Sequence, residues 1–114
     1  MTGIGTDIIE IRRIRELKRP QAFIEKLLGP KERQIFEGLK HPSRRVEFLA
    51  GRWAAKEALY KALGPAVCKD LAFGDFEVLN DESGRPYLEG ELGSLVMISI
   101  SHCQEYAVAF VVAH

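Results

Sequence analysis

The chain is poor in the features that most quickly betray a function. With 16 basic and 16 acidic residues in 114, it carries no overall field to draw it to nucleic acid or an anionic membrane. No apolar run approaches the roughly 20 residues that span a bilayer. The start, Met-Thr-Gly-Ile-Gly-Thr-Asp, lacks the basic stretch of a secretory signal. Only two cysteines occur; Cys68 and Cys103 have neither metal-ligand spacing nor a framework of partners, which reads as reduced thiols in a cytoplasmic protein. Gly-x-x-x-x-Gly-Lys-Ser/Thr and Gly-x-Gly-x-x-Gly are missing, and with them the standard phosphate cradles. No Gly-x-Ser-x-Gly elbow appears, and His41, His102 and His114 have no zinc spacing.

What is present is globular in composition, 46% hydrophobic and 28% charged, and short enough for one domain over 1–114. Burying a deep core in so small a chain is hard, so association with other copies is expected. The centre of the sequence is Phe48 to Gly64, rich in Ala, Leu, Lys, Glu and Arg, which are strong helix formers. Ser43 is placed to cap a helix from about Arg44 to Leu63, and Gly64-Pro65 to stop it. At about 100° per residue, Arg45, Arg52 and Lys56 share one sector. Glu57 points nearly opposite, beside Ala50, Trp53, Ala54 and Lys61. Glu57 and Lys61 are either an ordinary i,i+4 surface pair or a partly buried carboxylate beside a cation, able to hold a metal and a phosphate.

Residues 3 to 9 read as the first strand, with Gly3, Gly5 and Asp7 on one face and Ile4, Thr6 and Ile8 on the other. Glycine in a strand marks close approach of a ligand or another backbone. Aspartate is a poor strand former, so Asp7 has either a chemical role or merely ends the strand. Glu10 to Arg19 reads as a short basic helix: a solvated face, or a dock for an acidic partner. Helices follow over Ala22 to Leu28 and Lys31 to Leu39, with His41 in an exposed linker. Pro65 to Gly74 reads as irregular. Asp75 to Leu79 and Tyr87 to Glu89 alternate as strands around a turn-rich Asn80–Pro86, and Gly90 to Leu95 holds a short helical turn. Val96 to Ser101 alternates as a strand. Ala107 to Ala113 is apolar throughout, as a strand covered on both sides would be. The sum is α+β: an antiparallel sheet with helices on one face. Asp7, Glu57 and Lys61 together fit Mg²⁺, which uses one or two carboxylates plus substrate phosphates, and so a reaction at a phosphate.

Gly3-Ile-Gly-Thr-Asp7-Ile, Gly51-Arg-Trp-Ala-Ala-Lys-Glu57-Ala with Lys61, and Ser99-Ile-Ser-His102 resemble the holo-[acyl-carrier-protein] synthase family, the small bacterial 4′-phosphopantetheinyl transferases. The resemblance spans nearly the whole chain and its middle motif is highly specific. It implies the 4′-phosphopantetheinyl transferase fold. It further implies Mg²⁺-dependent transfer of phosphopantetheine from coenzyme A to a serine of apo acyl carrier protein, releasing adenosine 3′,5′-bisphosphate, in fatty acid biosynthesis. Asp7 and Glu57 inherit the metal, and Lys61 a contact to the phosphates. Glu57 or a water on the metal is the implied proton acceptor. Arg52 and His102 match positions near the coenzyme A 3′-phosphate, and Gly84-Arg85-Pro86 matches a Gly-Lys-Pro turn at the adenine, with arginine replacing lysine. His102 could instead cap a hairpin, and Arg85 could face water. The family's trimers carry sites at subunit boundaries, and its first helix docks the carrier, which points to Arg12, Arg13 and Arg15. Thr6 and Cys103-Gln104 depart from the family pattern. The rivals from other classes are a module that binds coenzyme A or carrier without transfer, and a metal-dependent phosphohydrolase.

Overall fold

The computed structural model describes residues 2–114. In chain order the elements are β1 (Gly3–Glu10), α1 (Ile11–Arg15), α2 (Pro20–Leu27), α3 (Pro30–Gly38), α4 (Pro42–Leu63), α5 (Pro65–Cys68), β2 (Val78–Asn80), β3 (Pro86–Leu88), β4 (Val96–His102) and β5 (Tyr106–Ala113). Strands β1, β5 and β4 form an antiparallel sheet in that order, and β2 and β3 form a separate antiparallel ribbon. Helix α4 lies across one face of the three-stranded sheet, and α+β with helices on one face is the observed class.

The contact between β1 and α4 explains the two glycines. A Cβ at Gly3 would stand 2.0 Å from the Ala62 carbonyl oxygen, and one at Gly5 2.0 Å from that of Ala58. Here the close neighbour is another backbone, and Ala54, Ala58 and Ala62 are buried small residues on the facing helix. The same strand face then carries Asp7, followed by the buried Ile9.

Several boundaries differ from the sequence reading, each for a local reason. Helix α4 begins at Pro42, and its cap is the His41 imidazole, whose Nδ1 accepts from the Ser43 backbone N–H at 3.3 Å. Ser43 is thus the capped residue; proline at the first helical position has no N–H to satisfy. Gly64 ends the helix with φ +87°, a region favoured by glycine, and the supposedly irregular link opens with the short α5. Pro20 and Pro30 start α2 and α3, as proline at a helix's first position can, a residue or two ahead of the spans Ala22 to Leu28 and Lys31 to Leu39.

The basic helix is only five residues long: at its start β1 continues to Glu10 and the Ile11 N–H bonds the Glu105 carbonyl at 2.8 Å, and at its end the Leu17 N–H closes a turn on the Ile14 carbonyl at 3.3 Å. The strand predicted from Asp75 shrinks to Val78–Asn80: the Asp75 carboxylate accepts from the Ala72 N–H and closes a single 3₁₀ turn over Phe73–Asp75, the local competition typical of Asp. Glu77 faces away to accept from the Lys31 and Glu32 N–H groups at the start of α3. The partner strand is Pro86–Leu88, one residue earlier than read.

Strand β5 is covered on one side only. Ala107, Ala109, Val111 and Ala113 face α4 and are buried, while Phe110 is 44% exposed. With Ile4, Ile8 and Met97 from the flanking strands, Phe110 makes an apolar outer face that this chain leaves uncovered.

Candidate active site

Two places gather the candidate residues. The first is an acidic corner. Asp7 is held by its strand and Glu57 and Lys61 by α4. The Lys61 ammonium donates to the Thr6 carbonyl at 2.9 Å and lies 3.5 Å from Asp7 Oδ1. Lys61 therefore bridges helix to strand instead of pairing with Glu57 along the helix. Partial burial, then the nearby Asp7 charge, push the Glu57 carboxyl above its ordinary range, with Lys61 opposing. Two carboxylates with one lysine between them leave a net negative corner. Among the described residues, no third His, Cys, Asp or Glu joins them to complete a protein-only metal cage. That donor set fits Mg²⁺, whose remaining positions go to water and substrate phosphates.

The second place is a pocket of about 360 Å³ whose lining includes Arg44, Arg52, Asn80, Gly84, Pro86 and His102. The pocket and the corner are connected through the sheet. Asp7 and Ile100 are both register partners of Ala109 on β5, so their Cα atoms lie roughly 10 Å apart, two strand spacings, and Ile100 lines the pocket.

Arg52 is buried, stacked 4.2 Å from the Phe48 ring centre. Its Nε and Nη2 donate to the Val78 carbonyl at 3.1 and 2.9 Å, and Nη2 also to Asn80 Oδ1 at 2.7 Å. Burial lowers its pKa to about 10 against a raising influence from Glu32, so it stays charged at neutral pH. His102 ends β4 on the exposed rim.

The structure thus brings Asp7, Glu57 and Lys61 together, and separately Arg52, Pro86 and His102. Arg85 stands outside the pocket: its backbone N–H bonds Asp81 Oδ1 within the turn and its side chain is exposed. Lys56 is no companion of Arg45 and Arg52 in a cationic surface. It is fully buried against Glu32, Nζ to Oε1 2.6 Å, while Arg45 donates to the Phe36 and Leu39 carbonyls. Arg12, Arg13 and Arg15 are exposed on α1, whose Ile11 and Ile14 face inward. The sequence reading missed Arg44, Glu47 and Asn80. Arg44, Glu47, Phe48 and Gly51 recur at i, i+3, i+4 and i+7, a visible stripe; Asn80 looked only like a turn residue.

A long helix thus backs an antiparallel sheet, with an acidic corner suited to Mg²⁺ and a separate pocket of about 360 Å³. Residues 3–111 match the family model of the 4′-phosphopantetheinyl transferase superfamily. The chain is similar to the holo-[acyl-carrier-protein] synthase of Geobacillus kaustophilus, 48% identical over 114 residues, covering 98% of this chain and 88% of that protein. It is also similar to that of Staphylococcus aureus, 46% identical, with 96% and 92% covered. Among solved structures it resembles the Bacillus anthracis holo-(acyl-carrier-protein) synthase in complex with CoA (3′,5′-ADP), with TM-score 0.85, 49% identity and 97% and 94% covered. The Helicobacter pylori synthase in complex with coenzyme A aligns with TM-score 0.79, 30% identity and 97% and 99% covered. The chain belongs to the holo-[acyl-carrier-protein] synthase class of the 4′-phosphopantetheinyl transferase superfamily, and it is an enzyme of that class.

Proposed function

We propose that the chain, as one transferase domain, moves 4′-phosphopantetheine from coenzyme A to a serine of apo acyl carrier protein, releasing adenosine 3′,5′-bisphosphate. Mg²⁺ is the cofactor, fatty acid biosynthesis the setting and the cytoplasm the location, where its two free thiols would stay reduced. The observation that carries this reading is the meeting of Asp7, Glu57 and Lys61 at the edge of β1. The relatives solved with coenzyme A or its nucleotide supply the substrate class.

Asp7 and Glu57 would hold the ion, which when bound neutralises pyrophosphate charge during the displacement. Lys61, kept in place by the Thr6 carbonyl, adds a point charge toward the phosphates. Glu57, or a water held on the ion, would accept the serine proton. In the pocket, Arg52 keeps Nη1 without a protein partner among the described residues, for the 3′-phosphate. His102, Gly84 and Pro86 line the nucleotide's other sides, while Arg85 stays outside the pocket in this structure. Homotrimerisation would cover Ile4, Ile8, Met97 and Phe110, and apolar faces of this kind are rarely left to water.

Mass spectrometry of apo carrier protein incubated with the enzyme, coenzyme A and Mg²⁺ tests the reading. The carrier gains the mass of phosphopantetheine. An unchanged carrier with coenzyme A still bound would leave a binding module, and coenzyme A cleaved without carrier would leave a hydrolase.

Docking is proposed on the outer face of α1, through Arg12, Arg13 and Arg15. Reversing Arg13 to glutamate should raise KM for the carrier about tenfold and leave KM for coenzyme A within about twofold, because a rim charge acts mainly on encounter with its own partner. Equal changes in both constants would remove α1 from the docking surface.

A further inference from the structure

Glu32 and Lys56 are charged, fully buried, and unused by the transfer reading. Glu32 Oε1 accepts from Lys56 Nζ at 2.6 Å and from the Gly29 N–H at 2.9 Å, while Oε2 accepts from the Val78 N–H at 2.8 Å. Lys56 Nζ also donates to the Leu27 carbonyl and, at 2.9 Å, to that of Phe73. One carboxylate thus fastens the start of α3, the middle of α4 and the first residue of β2.

Val78 is the pivot. Its N–H is on Glu32, and its carbonyl takes both Nε and Nη2 of Arg52. Arg52 continues to Asn80 Oδ1, and Asn80 Nδ2 donates to the Gly84 carbonyl at 2.9 Å. An unbroken series of hydrogen bonds therefore runs from Glu32 in the core, which does not touch the pocket, to Arg52, Asn80 and Gly84, which line it.

We propose that Glu32 is a positioning residue for the nucleotide end of the donor: by fixing Val78 it sets the Arg52 guanidinium and the Asn80–Gly84 turn. This rests on the reading of the pocket as the coenzyme A nucleotide site. The chemistry calls for a carboxylate. Three donors converge on Glu32, namely Gly29 N–H, Val78 N–H and the Lys56 ammonium, and only a group with two acceptor oxygens and a negative charge serves all three. The Val78 and Asn80 bonds occupy Nε and Nη2 and so fix the plane of the Arg52 guanidinium and the direction of its remaining Nη1; a small shift of the Val78 carbonyl turns Nη1 away from a phosphate, and misplacements of that size weaken binding steeply.

The test is Glu32→Gln, which keeps the side chain's shape but offers one acceptor oxygen to three donors. KM for coenzyme A should rise about tenfold, and Kd for adenosine 3′,5′-bisphosphate should rise by the same factor. KM for the carrier and kcat at saturating coenzyme A should stay within about twofold. Glu32→Gln leaves Lys56 buried without its partner, a strongly destabilising state. Glu32→Gln combined with Lys56→Met removes both charges and should show the same selective rise. Asn80→Ala in the Glu32→Gln background should add less than its effect alone, since both act through one series of bonds. Variants that melt earlier yet bind adenosine 3′,5′-bisphosphate as the parent does would reduce Glu32 to a purely structural role and overturn the inference. A parent protein that itself fails to bind that nucleotide would overturn the pocket reading beneath it.

Discussion

Glu57→Gln should leave a folded protein whose carrier modification is slower by about a thousandfold, the scale seen when one charge-stabilising group is removed from a reacting centre. Glutamine matches glutamate in shape, so the packing of α4 against the sheet is undisturbed. What disappears is one of the two negative charges at the corner. In the intact protein those charges oppose each other, which after partial burial is the second cause of the raised Glu57 pKa, and among the described residues Lys61 is the cation beside them. With glutamine in place Lys61 and Asp7 balance, and the corner loses its claim on a divalent ion. The carrier mass shift measures the rate, and circular dichroism checks the fold. Parental activity in Glu57→Gln would remove both the metal and the base assignments at once.

Gly5→Ala should be among the most damaging of the glycine-to-alanine changes in the chain. The added carbon would stand 2.0 Å from the Ala58 carbonyl oxygen and 2.9 Å from the Ala62 nitrogen, both backbone atoms of α4. Backbone cannot swing aside as a side chain can, so strand and helix must part. We expect a loss of at least about 3 kcal/mol, the upper part of the range for overpacked cores, from a total that for domains of this size is about 5–15 kcal/mol. The activity of whatever remains folded should fall as well, because Asp7 rides on the displaced strand and leaves Glu57 behind. Urea unfolding midpoints measure the first effect. Gly38→Ala is the control, since a Cβ there meets nothing within 4 Å. A Gly5→Ala protein as stable as Gly38→Ala would contradict the backbone contact between β1 and α4.

How much of this was readable beforehand depends on the distance over which each feature is determined. Helix α4 is legible because its signals are local: propensity, a proline at the start, a glycine–proline stop. The alternation of Gly3, Gly5 and Asp7 is equally local, and it correctly presents a bare face leading to a carboxylate. The acidic corner was suggested by residue chemistry and sharpened by the motif resemblance, since nothing in either segment alone says that β1 and α4 touch. The burial of Lys56 was not legible for the same reason. Its partner Glu32 lies on another helix, and helical angle alone cannot tell a buried cation from an exposed one. The His41 cap was overlooked because histidine is seldom considered at that position. Phe110 and its neighbours read as doubly covered because residue type records the need for burial, whereas this chain supplies only one covering layer.

The central claim is that Asp7 and Glu57 hold one divalent ion. Thermal unfolding against pH, with and without Mg²⁺, tests it most directly when the parent and Glu57→Gln are compared. The folded state raises the Glu57 pKa, so below the ordinary glutamate range both folded and unfolded chains hold the proton and its stabilising contribution is complete. As pH rises the unfolded chain ionises first, and that contribution is lost until the raised folded pKa has been passed. Asp81 and Glu89 shift the other way, but they are common to both proteins and cancel in the difference. The account therefore predicts that without Mg²⁺ the parent loses stability relative to Glu57→Gln across this window, and that Mg²⁺ restores the parent while leaving the variant nearly unmoved. Parallel pH curves, or equal stabilisation of both proteins by Mg²⁺, would contradict it.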